Sequence, residues 1–316
     1  MKYILLFYFC FISFCIVSQQ KFSKEFSFVT DNDLYVSFDR DRYYTSGIFL
    51  NYRYLAKNNN KNLEKRIIEW QIGHQMYTPN NPTFIRIDMQ DRPFAAYLYS
   101  SFGIKKVYKN NVILNTKLQL GIIGPEALGQ NLQRFIHNIY GYKEPVGWKY
   151  QIKRALGLNL GTEYIYFLGK NKSNTFDVSW IGKGNLGTVH TDFSTGFNFR
   201  IGLIPLQGID NSIGFNTNLN DDSTKDKRAI ESFFYLKPML RYTLYDATIQ
   251  GSFLNTSSPV IKELVPFVFD VEVGFKFTLN RYNFGYIFNY NTSKSKGLRY
   301  TYGNKYGSII MSYVLH

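Results

Sequence analysis

Residues 44–54 read YTSGIFLNYRY. Ile48, Leu50, Tyr52 and Tyr54 alternate with Thr45, Gly47, Phe49, Asn51 and Arg53. Successive side chains of a strand point to opposite faces, so the first set is predicted to face lipid and the second, Thr45 included, a barrel lumen. The same period returns along the chain. Leu114, Leu118, Leu120 and Ile122 alternate with Asn115, Lys117, Gln119 and Gly121. Val189, Phe193, Phe197, Phe199 and Ile201 alternate with His190, Asp192, Ser194, Asn198 and Arg200. Ile309, Met311, Tyr313 and Leu315 alternate with Ser308, Ile310, Ser312 and Val314. One such run is a weak signal, but its repetition is not. The pattern predicts an all-β chain, an antiparallel transmembrane β-barrel, with up to about fourteen candidate strands.

The first twenty residues, MKYILLFYFCFISFCIVSQQ, fit that destination. Lys2 is a short positive region, Tyr3 to Val17 an apolar run, and Ser18-Gln19-Gln20 a cleavage-like end. Residues 1–20 therefore read as a secretory signal peptide, too short for a typical spanning helix, and 21–316 as one outer-membrane domain. Cys10 and Cys15 both lie in the leader, which excludes disulfide and thiolate chemistry from the mature chain. No later stretch is apolar enough for a membrane helix. Aromatics reach 18%, with 26 Tyr and 28 Phe, which favours a membrane barrel over a soluble sandwich. The formal charge is +14; of 37 basic residues the leader removes only Lys2, leaving 36 against 23 acidic. Such an excess suits anionic partners, and for an exported barrel phosphorylated lipid or glycolipid rather than nucleic acid.

The connections are unequal. Asn58 to Asn62, Lys109 to Asn111 and Asn280 to Arg281 are short or polar, whereas Pro79 to Arg92, Gly124 to Gly147 and Ile204 to Arg228 are long. A barrel of this class has short periplasmic turns and long outer loops, so the three long segments are expected outside. One of them, GPEALGQNLQRFIHNIYGYKEPVGW from Gly124 to Trp148, reads as a loop carrying a short helix. Pro125 suits a first turn and Gly141 a C-terminal stop. Leu128, Leu132, Phe135, Ile136 and Ile139 fall on one face, and Gln130, Gln133, Arg134 and His137 on the other. The polar stripe reads either as a solvated face or, with His137 and Gln133 one turn apart, as part of a catalytic site.

Four segments are predicted to meet at one rim: Thr30-Asp31-Asn32-Asp33, Tyr43 to Gly47, Asp91-Arg92-Pro93, and the helix with His137, Glu144 and Trp148. Phosphate-loop, zinc-finger and serine-elbow patterns are absent, and His74, His137, His190 and His316 are too scattered for a metal cluster.

These segments resemble the outer-membrane lipid A 3'-O-deacylase (LpxR) family in order, spacing and residue type. Asn32-Asp33 is followed by DRYYTSG (Asp41 to Gly47), DRPFAAYLY (Asp91 to Tyr99), GIIGPEALGQNLQRFIH (Gly121 to His137), and Gly147-Trp148 with Gln151. Ala96, where glycine is common, and the terminal His316, where an aromatic is usual, depart from the pattern. The resemblance implies about 12 strands rather than fourteen, with the site between the barrel wall and a helix of an extracellular loop. It implies calcium-dependent (Ca2+) removal of the acyloxyacyl chain from the 3' position of lipid A, part of lipopolysaccharide. The chain would work in the outer membrane as a monomer.

Ester hydrolysis needs an activated water and a place for the developing oxyanion. On this reading His137 is the general base, since imidazole titrates near neutrality. Glu144 would orient its ring, and Gln133 would position the histidine or substrate. Asp33 is the expected metal ligand, because a hard cation takes carboxylate oxygen. Asn32 and Thr45 would add hydrogen bonds, or in the case of Asn32 a metal contact. Asn32 and Asp33 cannot both point inward from a regular strand, so a bulge or strand end is required. Arg92, and less directly Arg134, would pair with a lipid A phosphate. Trp148 reads as an interface aromatic. Two competing readings are a phospholipase A-like esterase with a serine nucleophile, and a porin or structural barrel. The latter predicts no convergence of Asn32, Asp33, Thr45 and His137.

Overall fold

The computed structural model describes residues 21–37, 42–84 and 86–316; the leader and Asp41 lie outside them. Twelve strands follow one another: β1 (Lys24–Asn32), β2 (Tyr43–Ala56), β3 (Leu63–Thr78), β4 (Ala95–Tyr108), β5 (Val112–Ile123), β6 (Ala155–Lys170), β7 (Phe176–Gly187), β8 (His190–Gly202), β9 (Ser232–Asp246), β10 (Phe267–Leu279), β11 (Tyr282–Asn291) and β12 (Asn304–Leu315). Each pairs antiparallel with its chain neighbour, and β1 pairs with β12, so the barrel closes. Closure leaves no sheet edge with unpaired backbone groups in lipid. The count is the twelve of the resemblance and not the fourteen of the raw pattern. The stretch from Lys153 to Gly187, where hairpins are hardest to place from the pattern, holds only the two long strands β6 and β7.

The alternation sorts the faces as expected. Leu50, Leu118, Leu120, Phe193, Phe197, Ile309 and Met311 are exposed on the outer wall, while Asn51, Arg53, Asn115, Asn198, Ser308 and Ser312 are buried inside. Ion pairs link nearby strands along the inner wall, among them Arg53–Glu25, Lys117–Glu69, Lys183–Glu163 (3.2 Å) and Arg241–Asp270 (3.0 Å). Val189 is the exception. It precedes β8, and a register shift between Thr191 and Asp192 separates it from the run. It packs with Tyr97, Ile123 and Ala247.

One expected outer loop lies at the opposite end. The short turns at residues 57–62, 109–111 and 280–281 share one end of the barrel, and strand order puts residues 203–231, between β8 and β9, at that same end. The segment folds back into the lumen as a plug. Lys65 Nζ donates to Asp210 O (2.6 Å) and Thr217 O (3.1 Å), and Lys105 Nζ donates to Phe215 O (2.7 Å). Asn218 Nδ2 donates to Glu25 Oε2 (3.0 Å), and Ile209 and Phe215 pack on Val107, Ile113 and Ile165. Irregular backbone is tolerated at this depth because protein donors satisfy its carbonyls. Length alone could not distinguish a plug from an outer loop.

Candidate active site

The segment from Gly124 to Arg154 leaves β5 and lies against the outer wall. Gly124 (φ 110°) turns the chain, one 3-10 turn spans Pro125–Ala127, and helix α1 spans Gly129–Tyr140. Gly141 ends it at φ 71°, where the left-handed region costs glycine least. A Cβ on Gly129 would fall 2.5 Å from both the Ala96 Cβ and the Trp148 ring, so only glycine lets the helix start so close to the wall. His74 Nε2 bonds Ala127 O at 2.8 Å, and Met76, Phe94, Ala96, Ala127 and Trp148 form one buried cluster beneath the loop.

The helix faces the opposite way from a solvated helix. Gln133 and His137, on the polar stripe, are the buried side chains, whereas Phe135 and Ile139 are each 63% exposed. Leaving Leu128, Phe135, Ile139 and Tyr140 in water would forgo on the order of 1 kcal/mol or more for each. The exposed apolar side chains therefore belong in lipid, and Gln133 and His137 close over the barrel wall, with Ile136 also lining the space between. Trp148 is not an interface aromatic: it is fully buried, packs on Phe94 and donates its indole N–H to Gln133 Oε1 at 2.6 Å.

Between α1 and the wall is a cavity of about 350 Å3, lined by Asn32, Thr45, Ser46, Met76, Gln133 and His137 among others. The His137 Nδ1 lies 2.6 Å from Lys143 O. A carbonyl only accepts, so Nδ1 carries the proton and Nε2 is the basic nitrogen. This carbonyl takes the orienting place expected of Glu144, whose carboxylate instead meets Arg134 Nε at 2.9 Å on the exposed side of the loop. Asn32 ends β1 and caps the following 3-10 turn, accepting Leu34 N–H at 2.8 Å. The strand ends at Asn32, which lines the cavity, whereas Asp33, in the turn that follows, is not among the residues lining it. Asp33 is 2% exposed, and its Oδ2 accepts the Arg42 backbone N–H at 2.8 Å.

Thr45 does not face the lumen. The β2–β3 register shifts between Tyr44 and Ser46, a bulge that leaves Thr45 unpaired and turns it to the outer cavity. Its hydroxyl bonds that of Thr78 at 2.7 Å. Arg92 does not join the group. It is buried at the lumen mouth, stacked over Tyr77 (4.4 Å) and donating to Thr248 Oγ1 (2.8 Å), with burial holding its guanidinium below the usual range. A phosphate outside the wall is beyond its reach. Among the described residues no group of three or more His, Cys, Asp or Glu could hold a metal.

The family model described as outer membrane protein LpxR matches residues 5–315. This chain belongs to that family. LpxR proteins are barrels of the outer membrane, and the likeness in fold is direct: the structure of LpxR from Salmonella typhimurium superposes with a TM-score of 0.73 at 18% identity, covering 92% of this chain and 99% of that one. The translocator domain of the autotransporter NalP from Neisseria meningitidis reaches 0.45 at 11% identity, covering 96% and 91%. The beta domain of the Bordetella autotransporter Brka reaches 0.42 at 9%, covering 93% and 98%. No curated protein sequence matches. The LpxR assignment makes the location the Gram-negative outer membrane.

Two features of this LpxR cavity escaped sequence reading. The Lys143 carbonyl has no side-chain signal at all. Arg42 and Tyr300 also line the cavity, and the aromatic run Tyr300-Thr301-Tyr302 in the last outer loop was the available clue.

Proposed function

We propose that this protein is a calcium-dependent ester hydrolase that removes the 3'-linked acyloxyacyl chain from lipid A, with water activated by His137. The observation that carries the reading is the position of the His137 ring. Nδ1 is fixed on the Lys143 carbonyl, within one cavity that Asn32, Thr45 and Gln133 also line, on the wall that faces lipid. Nε2 accepts the proton of the attacking water and returns it to the departing alkoxide. Gln133, held by the Trp148 indole, fixes the helix face that carries His137. Asn32 and Thr45 offer polar groups to the ester and its developing negative charge. The protein works on lipopolysaccharide as a monomer after export by its leader.

The donor set suits a hard cation. Asp33 is a buried carboxylate next in sequence to Asn32, and Asn32 and Thr45 offer oxygen donors to the His137 cavity. Asp33 and Asn32 would hold Ca2+, with water and substrate oxygen completing the shell. When bound, the ion would polarise the ester carbonyl.

Mass spectrometry of lipid A from cells expressing the chain tests the reading directly. Loss of the 3'-linked acyloxyacyl mass is expected, and unchanged lipid A would refute it. The phospholipase-like alternative has one observation in its favour, since Ser46 lines the same cavity. Ser46→Ala is expected to keep deacylation within about threefold of wild type, because water is the nucleophile. A loss of about 10²-fold or more, with labelling by a serine-directed inhibitor, would favour an acyl-enzyme.

A further inference from the structure

Arg42 stands immediately before β2 and is one of the residues lining the His137 cavity. It is only 7% exposed, yet among the described residues its guanidinium meets aromatic groups rather than a carboxylate. The guanidinium carbon lies 3.8 Å from the centre of the Tyr300 ring and 5.4 Å from that of Tyr302, and Nη2 donates to the Tyr302 hydroxyl. A relay holds the platform in place. Asp91 Oδ2 accepts the Tyr43 hydroxyl and the Arg299 backbone N–H, each at 2.9 Å, and the Tyr43 oxygen accepts Tyr300 N–H at 3.0 Å. Three outer loops are thereby locked around one cation.

Stacking satisfies the face of a guanidinium, and the Tyr302 hydroxyl takes one donor of its edge, where five N–H groups lie in a rigid fork. That fork matches two oxygens of a phosphate. The other cations nearby fit less well. Arg92 is sealed at the lumen mouth, Arg134 is exposed and paired with Glu144, and Lys143 is exposed. We propose that Arg42 binds a phosphate ester of the substrate within the His137 cavity, on the edge that its Tyr300 stack leaves open. The inference rests on the lipid A reading above. It identifies the recognised group as the phosphate on the sugar that carries the 3'-linked chain.

The test compares wild type, Arg42→Gln and Arg42→Lys on lipid A with and without its 4'-phosphate. Heat-modifiable gel migration serves as the folding control. Arg42→Gln is expected to raise KM about 10- to 100-fold on the phosphorylated substrate, the range for a hydrogen bond to a charged group, with kcat near wild type. On the phosphate-free substrate it should match wild type. Arg42→Lys should recover part of the loss, since it keeps the charge and loses the fork. An equal loss on both substrates, or a fall in kcat at unchanged KM, would overturn the proposal. Binding of the two lipids by detergent-solubilised protein in a His137→Gln background separates this inference from the deacylase reading. Preference for the phosphorylated lipid that vanishes with Arg42→Gln supports the site even if no chain is cleaved, and no preference refutes it. Wild type that leaves both lipids intact refutes the reaction alone.

Discussion

His137→Ala is expected to slow acyl-chain release by about 10²–10⁴-fold, on the order of 3–5 kcal/mol of transition-state stabilisation, while the barrel stays folded. The ring is buried on α1, with Nδ1 on the Lys143 carbonyl and its face edge-on to Tyr142 at 5.6 Å. It contributes nothing to strand pairing, so outer-membrane insertion and heat-modifiable migration should match wild type. His137→Gln keeps a hydrogen-bonding side chain of similar reach but no basic nitrogen, and should fail as badly. The wild-type rate should fall as pH drops, because protonated imidazole cannot take a proton from water. Release at a near wild-type rate by either variant would leave α1 as a lid only. The base would then have to be another group in the cavity.

Asp33 carries the second large effect. With the proposed calcium role, chelation should abolish deacylation and added calcium should restore it. Asp33→Ala should lose on the order of 10²-fold or more, the several kcal/mol that a Lewis acid supplies. Alanine also deletes the acceptor of the Arg42 backbone N–H, which is a structural loss. Asp33→Asn separates the two, since it retains an acceptor oxygen and removes the charge. It should bind calcium more weakly and regain rate as calcium is raised. Full activity of wild type in excess chelator would remove the ion from the mechanism.

The barrel was legible because its signal is repeated. Four strand-length runs carry the same two-residue period, and such weak signals reinforce one another. What stayed hidden depends on single events. One inserted residue at Thr45 reverses the face that parity assigns to it. The helix was legible as amphipathic, but which stripe is buried depends on which medium surrounds it, and the periodicity is identical in water and in lipid. The plug shares length and polarity with an outer loop; only strand order shows at which end it leaves the barrel. Glu144 was a plausible partner for His137 by sequence distance, yet the residue beside it supplies a backbone carbonyl, for which no side chain speaks. Arg92 sits in a family motif with the right charge, and the strand it precedes carries it to the inner side of the wall. Arg42, three residues before Thr45, stays on the outer side.

The lipid-facing stripe of α1 also sets the units in which this chemistry is counted. For the proposed lipid A substrate, a cavity between that helix and the outer wall would be reached by lateral travel within the leaflet, not by encounter from bulk water. Turnover should therefore follow the mole fraction of substrate in the surface, and diluting a mixed micelle with inert detergent should slow it even at constant total substrate. Both products of the proposed deacylation would carry acyl chains and stay in the same two-dimensional phase. Crowding of that phase by the shortened lipid, rather than escape into solvent, then limits how long the initial rate persists.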